Sequence, residues 1–485
     1  MKQENLKLNI VFNILSQIVL YITPLIVAPY ISRTLGATGV GEYSYAYSIL
    51  YYFNIFIVFG FTSYGTKQIA RLRDNAEERN KTFWGILFSR SAIFIVVSIL
   101  YIFIVLSGAF KRTAETAILL ALIPAMLSSA MDMSFLLQGV EKFRIISIVQ
   151  VVVNVVYMAC IFIFVKSYDD LILYTVIKSC IGIAVAIIQF KFVCKYISKP
   201  VIDKNQIKIA FRESFAFFLP TVIMSINPML DQTLLGALAD VKQVAYYEQT
   251  YKIICLVNML VGAISPVMLS RVSYLYASGN IEECKKKIGQ AMHLGYFIII
   301  PAMVGLVCVA KYFVPAYFGD DFIPAVNVMY VLSVSVLFSP ISSIIISSYY
   351  YPTHKVRLVT VLMAISIIAN TIGNIFAIKY LGAVGAALTT STLAILAHIL
   401  YVTFSWKSID YVSVYKSVGK ILISAIVMAL VIFTFNKVLN INSDLLITII
   451  DVVIGAATYG VCCLILKEEL ISQGLAGVKK KVQKK

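Results

Sequence analysis

Apolar residues in this chain do not alternate with polar ones; they come in long runs. Runs able to cross a bilayer, about 20 residues each, can be drawn at 8–32, 40–66, 83–107, 114–138, 144–165, 171–193, 209–232, 243–270, 288–313, 322–350, 356–378, 384–406, 417–436 and 444–466. No water satisfies backbone groups in lipid, so spans this long and apolar are expected to be helices, and the alternation of barrel strands is absent. The pattern predicts an all-α polytopic membrane protein with 14 transmembrane helices and no large soluble domain, numbered here as spans 1 to 14.

Polar residues inside the runs are ordered too. Asn9, Asn13, Gln17 and Tyr21 recur on one face of span 1, and Ser214, Thr221, Ser225 and Gln232 trace a similar stripe along span 7. Polar groups facing lipid are costly, so each stripe is expected to face a water-filled cavity or a neighbouring helix. Hydrogen bonding between packed helices is the plainer alternative. Pro24, Pro29, Pro220 and Pro228 interrupt these same two spans, which frees carbonyls and permits bending.

A longer-range pattern joins those spans. The stretch "QTLLGALADVKQVAYYEQTYK" from Gln232 lies without a gap over "SRTLGATGVGEYSYAYSILYY" from Ser32. The two share Leu35/Leu235, Gly36/Gly236, Ala37/Ala237, Tyr47/Tyr247 and Tyr51/Tyr251, with Arg71/Arg271 downstream. A copy at this spacing gives a repeat of six spans. Six is an even number, so the halves share one orientation about an axis along the membrane normal. The basic connection from Lys191 to Arg212 divides them. The expected organisation is a lobe of spans 1–6 over 1–200, a lobe of spans 7–12 over 201–410, and spans 13–14 with a basic tail over 411–485. Two such lobes are expected to enclose a cleft, where transporters place a substrate.

Composition strengthens the membrane reading. Hydrophobic residues make up 60% and charged residues 13% of the chain, and the mean hydropathy is +0.88, whereas soluble domains carry about 25% charged residues. Of the 41 Lys and Arg, 30 fall on the connections that share a side with the N-terminus, 8 on the other side and 3 within spans. The positive-inside rule then puts both termini in the cytosol. Runs such as "KKKVQKK" account for the net charge of +17 by facing anionic headgroups, so no nucleic-acid partner is needed. The first run carries polar residues throughout and no small-residue cleavage site, which reads as a retained span. The eight cysteines form no Cys-x-x-Cys and no Cys/His cluster, so neither a metal site nor a disulfide framework is expected. The sequon at Asn80 lies in an expected cytosolic loop, where it carries no meaning.

Several passages go beyond generic membrane physics. "SSAMDMSFLLQGVEKFRIIS", with Asp132, Phe135, Gln138, Gly139, Glu141 and Lys142, resembles the Asp-x-x-Phe-x-x-Gln-Gly-x-Glu signature of Wzx-type polysaccharide flippases; Met133 stands where that family usually has an aromatic residue. "NTIGNIFAIKYLGAVGAALTTS", from Asn370 across Gly382, Gly385 and Ala387, is similar to the helix 11–12 connection of the wider multidrug/oligosaccharidyl-lipid/polysaccharide exporter superfamily. The opening stretch through "YGTKQIARLRD" and the passage "YFGDDFIPAVNVMYVLS" resemble that family's helix 1–2 region and its approach to helix 10. The resemblance spans nearly the whole chain in the family's order. It implies a V-shaped, MATE-like pair of six-helix lobes in a bacterial cytoplasmic membrane. It also implies movement of an undecaprenyl-pyrophosphate-linked oligosaccharide to the outer leaflet for capsule, O-antigen or teichoic-type export. Membrane lipids and polysaccharide polymerase machinery are the further partners it implies.

A pyrophosphate of roughly two negative charges requires fixed cations at membrane depth. Arg90, Lys178 and Lys252 are the basic residues far from span ends, where an ionised side chain costs about 2.5–3.5 kcal/mol even on insertion scales. Arg90 and Lys252 are therefore candidate substrate contacts, together with Arg33 and Lys67 at the rims and Asn13 and Gln17 of the polar stripe. Glu248, four residues before Lys252, offers an internal partner instead. Arg90 can snorkel, and Lys178 reads as structural. Asp132, Asp231 and Glu248 are candidate coupling or gating groups for H⁺ or Na⁺; capping and turn formation are their plain roles. Asp169-Asp170 and Asp320-Asp321 read as helix caps. No metal or organic cofactor is expected. A polytopic polymerase or glycosyltransferase would need a sizeable outer loop, and none is present; no Gly-x-x-x-x-Gly-Lys-Ser/Thr motif occurs either. A multidrug or cation antiporter of the same fold would favour acidic pockets, whereas the excess within these spans is basic. A scaffold that only binds lipid would not need broken, polar-striped helices in both halves.

Overall fold

The computed structural model describes the backbone of residues 6–110, 115–438 and 443–471, and their side chains apart from 6–18, 21, 219–220, 223–225 and 227–228. Among the described residues every regular element is helical: α1 (Leu6–Val58), α2 (Phe61–Arg71), α3 (Ala76–Leu106), α4 (Thr116–Ala121), α5 (Ile123–Ala130), α6 (Ser134–Gly139), α7 (Phe143–Phe164), α8 (Leu171–Val193), α9 (Lys204–Leu238), α10 (Val241–Gly262), α11 (Ile264–Ala277), α12 (Ile281–Phe318), α13 (Ala325–Ile345), α14 (Val356–Ser405), α15 (Tyr411–Val438) and α16 (Asp444–Ile465). A π-turn, Ile346–Tyr350, extends α13.

Eleven helical stretches among the described residues are long and apolar enough to cross a membrane. Two of them, Ile22–Arg71 and Val356–Ser405, are 50 residues long. Each is broken by a glycine with left-handed backbone, Gly36 at φ 65° and Gly382 at φ 56°, a conformation that costs glycine no Cβ clash. Each is thus two spans. With α9, 35 residues long, the chain agrees with fourteen spans. Span 4 is the least regular, because Pro124 restarts the helix at the head of α5 and the chain turns again before α6.

Lipid length alone does not decide which face of a span is inside. On α3 the buried residues include Asn80, Thr82, Ser89, Arg90 and Ser98, while Ile95, Val96, Ile99, Leu100 and Phe103 are exposed. A solvent of hydrocarbon inverts the usual pattern: apolar side chains are welcome outside, and polar ones gain by meeting each other within.

By contacts the chain groups into two compact units, Met1–Ala245 and Tyr246–Lys485. In the first, α1 packs on α7, α3 on α9, α5 and α7 on α8, and α2 on α6; in the second, α12 is central to α13, α15 and α16, and α13 packs on α14. The seventh span groups with the first unit because α9 packs on α1, α2 and α3. The lobe boundaries at 200 and 410 come from the repeat and are a division of a different kind.

The repeat has local counterparts. Tyr47 meets Tyr51 with ring centroids 6.2 Å apart, and Tyr247 meets Tyr251 at 5.9 Å. The second span of each half is interrupted, at Phe59–Gly60 between α1 and α2 and at Ala263 between α10 and α11. Each short helix that follows packs on the end of a later span, α2 on α6 and α11 on the π-turn. Both later spans end alike: Glu141 (φ 60°) and His354 (φ 59°) are left-handed, with Lys142 N donating to Leu137 O and Lys355 N to Tyr350 O, each at 2.8 Å. The copied segments also touch. A methyl group on Gly41 would stand 2.1 Å from Val241 O, and one on Gly236 would stand 2.0 Å from the Tyr45 ring.

Candidate functional site

In the first unit the signature region builds a clasp between α6 and α2. Thr62, Gly65, Thr66 and Ile69 recur at the spacing that puts them on one face of α2, and each meets a signature residue. The Thr62 hydroxyl donates to Asp132 Oδ2 at 3.2 Å, and the Thr66 hydroxyl donates to Gln138 Oε1 at 3.1 Å. Gly65 lets the Phe135 ring approach to where a Cβ would be 2.5 Å away, and Gly139 admits Ile69 at 2.7 Å. Beyond the turn, Arg73 Nη1 pairs with Glu141 Oε2 at 3.1 Å. Every acidic, amide, aromatic and glycine position of the signature thus has a task in this contact.

Arg90 of α3 closes the clasp from behind. Its Nη1 donates to Asp132 O at 2.5 Å and lies 3.5 Å from Asp132 Oδ2, and its Nη2 donates to Thr62 Oγ1 at 2.8 Å. The guanidinium sits 5.7 Å from the Phe61 ring and 5.9 Å from the Phe135 ring. Arg90 is 1% exposed, and its Nε has no hydrogen-bond partner. The Asp132 side chain is 36% exposed, so this acid spans the wet and dry sides of the cluster. Removing one member of such a pair leaves an uncompensated buried charge, worth about 3–5 kcal/mol.

In the second unit, Lys252 Nζ lies 2.6 Å from Glu248 Oε1 and donates to Gln249 Oε1 at 3.3 Å. Lys252 is partly open, its side chain 30% exposed, and Glu248 is buried. Further along, Tyr247 Oη and Thr390 Oγ1 are 3.3 Å apart, Asn370 Nδ2 donates to Thr390 Oγ1 at 3.5 Å, and Asn374 Nδ2 donates to Asn370 Oδ1 at 2.9 Å. Four polar residues of α10 and α14 are thus linked by hydrogen bonds, while Asn374 Oδ1 accepts none among the described residues.

The remaining candidates separate. Arg33 is exposed on α1, three residues before the kink at Gly36. Lys67 is exposed on α2 with its ammonium 5.8 Å from the Phe217 ring. Asp231 is buried near the end of α9. Asn13 and Gln17 lie outside the residues whose side chains are described. Lys178 rests 4.2 Å from the centroid of Tyr43 and donates to Tyr174 Oη at 3.1 Å, the aromatic setting of a structural cation. Asp170 caps its helix, accepting from Lys166 N and Ser167 N at 2.8 and 3.0 Å.

Sequence reasoning paired Lys252 with Glu248 by spacing but missed the partners of Arg90. Thr62 and Thr66 carried the signal, since with Gly65 and Ile69 they fall at helical spacing just after a break. The Asn370–Asn374–Thr390 string also went unread.

Eleven membrane-length apolar stretches among the described residues, two of them divided by a glycine break, define a multi-pass helical membrane protein. The chain belongs to the family described as polysaccharide biosynthesis protein, whose model matches residues 6–270. It is 23% identical over 413 residues to a putative O-antigen transporter of Shigella flexneri, covering 80% of this chain and 94% of that one. A putative O-antigen transporter of Escherichia coli K12 is 22% identical over 319 residues, 62% of this chain and 76% of that one. Among solved structures, the lipid II flippase MurJ superposes with a TM-score of 0.76 at 18% identity, covering 96% of this chain and 99% of that one. An inward-facing multidrug transporter of the MATE family superposes at 0.62 and 11% identity, over 83% and 96%. At these identities the likeness is one of fold.

Proposed function

We propose that the protein is a flippase, not an enzyme, that moves an undecaprenyl-pyrophosphate-linked oligosaccharide from the cytosolic to the outer leaflet of a bacterial cytoplasmic membrane by alternating access. Both termini lie in the cytosol in this reading, following the bias of Lys and Arg. The family and its O-antigen transporter relatives support it. The observation that carries it is the Lys252–Glu248 pair, a partly open ammonium held at membrane depth by a carboxylate.

A phosphate oxygen offers Lys252 the same charge-assisted bond that Glu248 gives it. Binding then exchanges one partner for another, and Glu248 is released to take a proton, a Na⁺ ion or a new hydrogen bond. That exchange is a differential interaction of the kind needed to bias two conformations. Arg33, Lys67, Asn13 and Gln17 remain proposed contacts for the headgroup. The glycan stays with the headgroup, and the polyprenyl tail stays in the bilayer, where its transfer costs nothing. Delivery to polysaccharide polymerase machinery on the outer side completes the proposed role.

The test is reconstitution with a short-glycan undecaprenyl-pyrophosphate lipid, reading how much glycan an external enzyme reaches with and without a membrane potential or a Na⁺ or H⁺ gradient. Glycan that becomes accessible faster than in empty vesicles supports the reading, and the dependence on each gradient names the coupling. The MATE-like fold favours one rival, a cation antiporter. No glycan movement, with gradient-driven export of a cationic dye, would establish that rival, and a lengthened glycan would establish a polymerase.

A further inference from the structure

The hairpin of α15 and α16 holds a carboxyl group that none of the above uses. Asp451 lies seven residues past the start of α16, about 10 Å along the helix, and is 0% exposed. Its Oδ2 accepts from Asn436 Nδ2 of α15 at 2.9 Å, and its Oδ1 has no hydrogen-bond partner. Among the described residues it makes no ion pair.

Its surroundings are set by α15 and by α12, which also packs on α16. From α15 comes the neutral amide of Asn436; from α12 the titratable group within electrostatic reach is the Cys308 thiol. Tyr330 of α13 reaches Cys308. One turn further along α16, Gly455 packs on Ile432 and Met428. An ionised carboxylate with one amide donor in such a setting lacks the partners that make a buried charge tolerable. A merely adhesive polar pair between the two helices needs no ionisable member, and an aspartate here brings one.

We propose that Asp451 is a proton-binding site: its carboxyl is held as the neutral acid against Asn436 while α15 and α16 are closed on α12. Separation of the hairpin from α12 lets water in, and the proton passes from the carboxyl oxygen to that water, leaving the carboxylate. The reverse movement takes a proton back. The ligand is the proton itself, and the site belongs to helices with no counterpart in the repeat.

Infrared spectroscopy of the full chain in lipid vesicles tests this directly. The wild type is expected to give a carboxylic-acid C=O band that is absent from Asp451→Asn and that disappears reversibly as the pH is raised. Asn436→Leu removes the donor that favours the charged form, so the midpoint should move up by about one pH unit, a tenfold gain in proton affinity. A wild-type spectrum that matches Asp451→Asn at every pH overturns the proposal, and so does a band that never titrates. Where Asp451→Asn fails to fold, isotope-labelled aspartate in the wild type and in Asn436→Leu carries the test, and an unmoved midpoint overturns it. The readout is the proton, so it stands apart from whether any lipid is flipped.

Discussion

At the scale of single residues, the charges at membrane depth are defined by their partners. Arg90 was a candidate substrate contact in the sequence, with snorkelling as its plain alternative, and its guanidinium is enclosed by Asp132, Thr62, Phe61 and Phe135. Lysine cannot reproduce that planar fork. Arg90→Lys keeps the charge but loses part of the fork's hydrogen bonding, and is therefore expected to lower stability by about 1.5–3 kcal/mol, read as a drop in the unfolding midpoint in detergent, while an unchanged midpoint would mean that the clasp is held by packing alone. Lys252 makes a different prediction, because its ammonium is accessible. Lys252→Gln should slow glycan flipping by about 10- to 100-fold, the equivalent of about 1.5–3 kcal/mol for one charge-assisted hydrogen bond, with the fold retained by circular dichroism. Flipping at the wild-type rate would remove Lys252 from the substrate path. The i, i+4 spacing made its pairing with Glu248 legible in advance, whereas the partners of Arg90 come from sites 28 and 42 residues away.

At the scale of elements, the signature acts as one surface. Asp132, Phe135, Gln138 and Gly139 face Thr62, Gly65, Thr66 and Ile69, so α2 and α6 are expected to move as a block. Phe59, at φ 42°, and Gly60, at φ 77°, separate that block from α1. Left-handed backbone at phenylalanine is strained. Gly65→Val drives a branched side chain into the Phe135 ring, and overpacking of this kind costs about 1–3 kcal/mol. We expect that variant to show a lower unfolding midpoint and slower flipping, and Phe135→Leu, which makes room, to recover part of both when combined with it. A double variant no better than Gly65→Val alone would place the damage in the backbone of α2. The breaks at Gly36 and Gly382 were legible as connections, since the apolar runs end at 32 and 378 and resume at 40 and 384, but not as single left-handed glycines within otherwise continuous helix.

At the scale of the whole molecule, topology is the property that the charge bias predicts and that function requires. Cys194, between α8 and α9, is the cysteine described as exposed, with Lys191 in the last turn of α8 and Lys195 and Lys199 in the connection beside it. A membrane-impermeant maleimide is expected to label it in intact cells only after the membrane is opened, with Cys194→Ser as the blank. Labelling of intact cells would invert the orientation and with it the direction of transport. The repeat is also a whole-molecule property. Five shared residues suggested it, and the paired tyrosines, the interrupted second spans and the matched turns at Glu141 and His354 give it a geometric counterpart.

The sequence by itself determined that this chain is helical, crosses a membrane many times and carries its positive charge mostly on one side. Those properties depend on the free energy of moving whole segments between water and hydrocarbon, which is nearly additive along the chain. It also placed the signature at the end of span 4. Only the tertiary structure decided what the signature holds, that Arg90 is enclosed, and that Asp451 is buried against Asn436. Burial and hydrogen bonding depend on which helices meet, and in a chain where almost every span is apolar all round, hydropathy does not distinguish the face that meets lipid from the face that meets protein.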